Sequence, residues 1–242
     1  MTPANLSELT NIVCHSYVEL IRKRELLAVT LKDTALRASY NKTKAGYGFL
    51  HIVHVLYSDL IIDTVSLLAD QSSDTATLAK VIAELEKKTV HDHLRKEYVR
   101  PHVMNWLSKF GSESDRIDLE RHMNKKETRK LAAEYRKLYN ESLNNWERLN
   151  ACAEFNKLRR IRNKILSHKA TRVENGALRL FEFKDFKAKY GECEALIEAV
   201  EPILINVGSI VRKTDYGYKS AKIIYAKQAQ EFWATCRGSA ES

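Results

Sequence analysis

Proline and glycine are scarce in this chain of 242 residues, at 3 and 8 respectively. Few positions interrupt regular backbone, which disfavours a many-turned β architecture and favours helices. Cysteine is scarce as well. Cys14, Cys152, Cys193 and Cys236 lie far apart with no CxxC pair, which argues against a disulfide scaffold and a zinc site and fits a reducing cytoplasm. No run of about 18 apolar residues stands out, so no membrane span is expected. The opening "MTPANLSELTNIVCHSYVELIRKR" lacks the basic start and apolar core of a signal peptide. A GxxxxGK phosphate loop and a serine or cysteine nucleophile motif are missing too. Acidic residues are the last deficit.

What is there follows from that deficit. Lysine and arginine total 40 against 31 aspartates and glutamates, a net charge of +9. Such a balance favours polyanions: nucleic acid, nucleotides or an acidic membrane surface. Hydrophobic residues at 44% and charged ones at 29% are ordinary for a folded protein. The length supports a large core. Apolar residues recur at helical spacing from Leu9 to Leu26, with Asn5 or Ser7 able to cap. "NKTKAGYG" then breaks the pattern and reads as a flexible or ligand-facing loop. "FLHIVHVLYSDLIIDTVSLLAD" is apolar nearly all round, which predicts a central helix over about 49–69. Asp74 or Thr75 can cap the next helix, Pro101 bends or separates the one after, and Gly111 stops it.

One or two long helices follow from Arg116 to about Lys169, with the segment of interest over about 143–169. Asn175-Gly176 between β-prone runs predicts a hairpin over about 171–183. Helices resume over 185–236, with Asp185 as cap and Pro202 as a kink, before a disordered tail at 237–242. The expectation is an all-α, single-domain antiparallel bundle over 1–236 with one small hairpin.

The most basic part of the chain, "LRRIRNKILSHKA", also carries the apolar spacing of a packing helix. Stepping about 100° per residue from Leu158, an apolar arc runs from Ile161 at about −60° to Leu166 at about +80°. Arg162 falls inside it at about +40°, and His168 at its edge at about −80°. A guanidinium inside an apolar arc is costly unless it is paired or lines a wet cleft. The bland explanation is an ion pair with the central helix, through Asp59 or Asp63. The sharper one is an anion site, where Arg162 holds a phosphate and His168, titrating near neutrality, moves a proton. Lys157, Arg159, Arg160, Lys164, Lys169 and Arg172 extend the basic run without an interleaved acid. They form either a phosphate-tracking surface or a solvated helix face.

Arg162-Asn163-Lys164-Ile165-Leu166-Ser167-His168 resembles the signature of the HEPN superfamily: an Arg and a His separated by four to six residues, with a polar residue such as Asn after the Arg. "VLYSDLIIDTVSLLADQSSDTATLAKVIAEL", followed much later by "FNKLRRIRNKILSHKA", is similar to the abortive-infection U-like branch. There an apolar helix with a D-L-I core runs into an Asp-containing loop and a shorter helix. The resemblance covers roughly residues 10–210. It implies a HEPN-like helical fold and RNA cleavage, with neither metal nor cofactor, at a site composed from two subunits of a homodimer. Arg162 would stabilise the scissile phosphate, His168 would act as acid or base, and Asn163 would orient them. Lys157, Arg159, Lys164, Lys169 and Arg172 would bind RNA. It also implies a phage-defence or toxin–antitoxin setting, with an antitoxin or defence partner protein, in the cytoplasm and away from the membrane. The alternative is a non-catalytic HEPN module that binds RNA, a nucleotide or a partner protein. A structural helical protein with Arg162 as a buried ion-pair member is the third option. Two departures stand out. Ser66 lies where the branch often has an Arg, and Ala170 lies where some HEPN toxins carry a modifiable Tyr.

Other signals are weaker. His91, His93 and His102 match no helix-borne ligand pair. His51 and His54 fit core or interface histidines. Tyr216 and Tyr218 could stack on bases or pack the last helix.

Overall fold

The computed structural model describes residues 2–41, 43–70, 72, 74–100, 113–167, 170–174 and 177–238. Their elements are α1 (Pro3–Lys32), α2 (Thr34–Tyr40), α3 (Lys44–Ala69), α4 (Leu78–Leu85), α5 (Lys88–Tyr98), α6 (Glu113–Ala151), α7 (Ala153–Ile161), a π-helical turn (Arg162–Ser167), β1 (Thr171–Glu174), β2 (Ala177–Leu180), α8 (Phe183–Phe186), α9 (Tyr190–Arg212) and α10 (Tyr218–Gly238). The chain is all-α, with one antiparallel strand pair among the described residues. Pro101 and Gly111 lie outside those residues.

Helix ends follow local hydrogen bonding, and several differ from the expected positions. α1 is capped by Thr2, whose Oγ1 accepts from Asn5 N–H at 3.3 Å, with Pro3 in the first turn, where it lacks only a donor that helices leave unpaired. α4 is capped by Thr77, whose hydroxyl accepts from Lys80 N–H at 3.2 Å, rather than by Asp74 or Thr75. "NKTKAGYG" is not a loop throughout. Thr43 Oγ1 accepts from Gly46 N–H at 3.0 Å, and α3 begins at Lys44. Gly46 is needed for close approach: a Cβ there would meet the Tyr40 carbonyl oxygen at 2.5 Å. α8 is capped by Glu182, with Asp185 as the reciprocal member of the capping box. α9 continues through Pro202, and α10 extends into the expected tail.

The helices pack around α1 and α9, which contact each other and most of the remaining elements. Leu196, Ile197, Val200, Ile203, Leu204 and Val207 of α9 are buried. Across them Tyr17 of α1 places its hydroxyl 3.0 Å from Ile197 O and 3.1 Å from Glu201 Oε2. A second cluster joins Leu36, Phe49 and Trp233, with Trp233 Nε1 donating to Leu26 O at 3.0 Å.

α3 is only half covered. Leu60, Ile61, Val65, Leu67 and Leu68 are buried, whereas Leu50, Ile52 and Val55 toward its start are exposed. His51 and His54 are exposed too, so neither is a core histidine. By length and composition alone α3 is long and apolar enough to cross a membrane, a test that a core helix also passes, and its sequence is interrupted by His51, His54, Ser58, Asp59 and Asp63. Within it Asp59 and Asp63 both pair with Lys23 of α1 at 2.5 Å. Those two carboxylates are therefore not the partners of Arg162.

Candidate functional site

The helix expected to run unbroken over about 143–169 is three pieces. α6 ends at Ala151 and Cys152 adopts an extended conformation, its Sγ accepting from Phe155 N–H at 3.4 Å to start α7. Phe155, Leu158 and Ile161 are fully buried, as the apolar arc requires. From Arg162 to Ser167 the winding changes to π, where each N–H reaches back five residues instead of four. The 100° step therefore holds only as far as Ile161. Beyond it, Ile165 and Leu166 are half-buried while Asn163 and Lys164 face water. Single π turns inside helices occur frequently at functional sites.

Arg162 starts this turn and packs toward the end of α3. Its Nη2 donates to Asp70 Oδ2 at 3.0 Å, and its Nη1 to Asn163 Oδ1 at 3.2 Å. Nε is buried with no hydrogen-bond partner among the described residues, an uncommon state for a charged donor. The side chain keeps 25% of its exposure and Asp70 keeps 17%, so the pair is partly withdrawn from water yet reachable. Asp70 is itself held. It terminates α3, and its Oδ1 accepts from Ser72 N–H at 3.2 Å. Lys80 of α4 donates to Ser72 O at 2.7 Å, anchoring the loop from the far side.

The hairpin is tied to the same end. Ala170 N–H donates to Lys164 O at 2.7 Å, and Phe181 N–H to Ala170 O at 3.1 Å. The ring of Phe181 lies between Lys164 and Arg172, at 5.8 Å and 5.4 Å. β1 and β2 pair in register from Thr171↔Leu180 to Glu174↔Ala177. Asn175 and Gly176, the predicted turn, lie outside the described residues, as do His168 and Lys169.

The basic run divides into two kinds of cation. Lys157 donates to Glu192 Oε1 at 2.6 Å, and this contact, against the cost of burial, holds the Glu192 carboxyl below its ordinary range. Arg172 pairs with Asp185 at 2.8 Å and Glu174 at 3.2 Å. The backbone N–H of Glu182 and then Arg172 hold Asp185 low. Arg159, Arg160 and Lys164 have no carboxylate partner among the described residues. They are exposed and rest on Phe155, Phe186 and Phe181 at 5.9, 5.8 and 5.8 Å. Sequence reasoning missed one contact of Arg162: Asp70, in the acidic loop after the central helix.

Of the other candidates, His102 lies outside the described residues. His91 packs against Tyr135 and Tyr139. Among the described residues no group of three or more His, Cys, Asp or Glu is placed to hold a metal. Tyr218 is buried against Tyr17, and Tyr216 stacks on Tyr218, so both serve packing. An apolar cleft of about 620 Å³ beside Leu149, Cys152 and Leu196 does not include Arg162 or Asp70.

Residues 4–232 match the family model HEPN_AbiU2, described as AbiU2. No curated protein and no solved structure matches the chain.

Proposed function

The chain belongs to the HEPN AbiU2 family, and from that premise we propose that it is a metal-independent endoribonuclease of a bacterial phage-defence or toxin–antitoxin system. It works in the cytoplasm as a homodimer whose two motif segments make one composite site, under the control of an antitoxin or defence partner.

The observation that carries this reading is the presentation of Arg162. A π turn at the end of α7 holds its side chain at 25% exposure, in a segment whose Arg159, Arg160 and Lys164 are exposed and meet no carboxylate among the described residues. A fixed guanidinium stabilises charge that builds on phosphate oxygens in the transition state. In the proposed step the RNA 2′-oxygen attacks the adjacent phosphorus and its proton passes to a base. The P–O5′ bond breaks and the 5′-oxygen takes a proton from an acid. The products are a 2′,3′-cyclic phosphate and a 5′-hydroxyl. His168 supplies the titrating group, one copy as base and the partner's copy as acid.

A second reading has one specific observation in its favour. Arg162 already has a carboxylate partner in Asp70, as it would in a HEPN module that binds RNA, a nucleotide or a protein without turnover. Incubation with structured RNA in EDTA separates the two. Cyclic-phosphate ends that vanish in Arg162→Ala and His168→Ala support the enzyme. Intact RNA across varied substrates, with wild-type protein folded and dimeric, leaves the binding module.

A further inference from the structure

We infer that Asp70 is the positioning residue of this site: it holds the Arg162 guanidinium in the orientation that meets a scissile phosphate, and acts on turnover through Arg162 without touching RNA. Its consequence for cleavage rests on the ribonuclease reading above. Its geometry does not.

Asp70 and Arg162 are separated by 92 positions in the chain yet lie 3.0 Å apart. Each oxygen of the carboxylate has its own task. Oδ1 accepts from Ser72 N–H at 3.2 Å, which fixes the plane of the carboxylate at the end of α3, and Oδ2 is left for Arg162. Ser72 is held in turn by Lys80. The carboxylate is thus tied through Ser72 to α4 and is not a free side chain. On the other nitrogen, Asn163 Oδ1 accepts from Nη1 at 3.2 Å. Two acceptors from two elements hold a planar group at both terminal nitrogens, so its rotation about the Cδ–Nε and Nε–Cζ bonds is restrained. Nε is buried. Each of Nη1 and Nη2 carries a second N–H, and a bidentate phosphate contact needs those two in a set direction. Solvent covers little of either side chain, so the pair is screened less than one on the open surface.

This arrangement makes an unusual pairing of effects. Removing the carboxylate takes a negative charge from beside the anion site, which favours RNA binding. It also frees the guanidinium, which disfavours the aligned transition state. Asp70→Asn is the informative change because it keeps the shape. Its amide has one acceptor oxygen, and once that serves Ser72 an NH₂ group faces the Arg162 donors.

Three measurements on the full-length protein test this: single-turnover RNA cleavage, affinity for a 2′-O-methyl RNA that lacks the nucleophile, and NMR of the arginine guanidinium groups in ¹⁵N-arginine protein, with Arg162→Lys assigning the signal. In Asp70→Asn the cleavage rate falls roughly tenfold to a hundredfold, the scale of a misplaced catalytic group. Affinity is unchanged or tighter, and Arg162 guanidinium rotation is faster. Wild-type cleavage by the variant overturns the inference. So does a parallel loss of cleavage and binding with a lower Tm, which marks a structural role. If the wild type cleaves no RNA, the ribonuclease reading fails and the NMR decides alone. Hindered Arg162 rotation released by Asp70→Asn supports positioning, and equal mobility in both proteins overturns it.

Discussion

Charge in the basic segment divides by partner, and that division has a measurable consequence. Arg159, Arg160 and Lys164 are exposed and meet no carboxylate among the described residues, whereas Lys157 is bound to Glu192 at 2.6 Å. A cation that already neutralises a carboxylate releases few counterions from RNA on binding. Each free cation that contacts a phosphate of single-stranded RNA contributes about 0.7 to the slope of log K against log salt. Replacing Arg159, Arg160 and Lys164 together by alanine therefore lowers the magnitude of that slope by about 2. A fourfold rise in salt then weakens the wild type about twentyfold more than the triple variant. Lys157→Ala leaves the slope in place and acts on stability instead, because it strands Glu192. For a partly exposed pair that costs about 1 kcal/mol, or about 2–4 °C in Tm for a chain of this size. The assay is fluorescence anisotropy with a labelled 2′-O-methyl RNA over a salt series, with thermal unfolding in parallel. An unchanged slope in the triple variant, or an equal change in Lys157→Ala, would refute the division of the segment into paired and free cations.

Two further outcomes follow from packing and titration. Phe155 is fully buried on the face that carries the motif helix, so Phe155→Ala destabilises the fold by about 3–5 kcal/mol, read by chemical denaturation; a loss below about 1 kcal/mol would show that the helix is not anchored there. Glu192 is held below its ordinary value of 4.5 mainly by Lys157, and Asp185 below 3.8 mainly by the Glu182 backbone N–H. Depressed carboxyl pKa values contribute stability that is present above the unfolded value and lost as pH falls through the folded one. Tm should therefore drop below pH 4.5 in wild type, with a smaller acid loss in Glu192→Gln; parallel profiles in the two proteins would exclude this linkage.

Much of the fold was legible because it is local. Scarce Gly and Pro and apolar residues at helical spacing predict the helices, and the burial of Phe155, Leu158 and Ile161 follows from the wheel. Boundaries were less legible wherever two side chains could cap, as at Thr77 against Asp74 and Thr75, since the choice depends on how the chain enters from the preceding loop. "NKTKAGYG" misleads for a related reason. Its glycine permits α3 to start close under the Tyr40 carbonyl, and a glycine that serves close approach looks in sequence like one that serves flexibility.

For the site, the sequence by itself determined the residue types and the family: Arg162 with Asn163 beside it and a basic run around them, in a chain that matches HEPN_AbiU2 over residues 4–232. It also showed that a guanidinium in an apolar arc is costly unless it is paired or lines a wet cleft. Only the tertiary structure decided which partner. Lys23 occupies Asp59 and Asp63, and Asp70 at the end of the same helix meets Arg162. The π turn and the separation of free cations from paired ones were decided there as well. The physical reason is range. Helical periodicity acts over neighbours three and four apart, while an ion pair forms between whichever charges the packing of α3 against the motif helix brings within reach, here 92 residues apart.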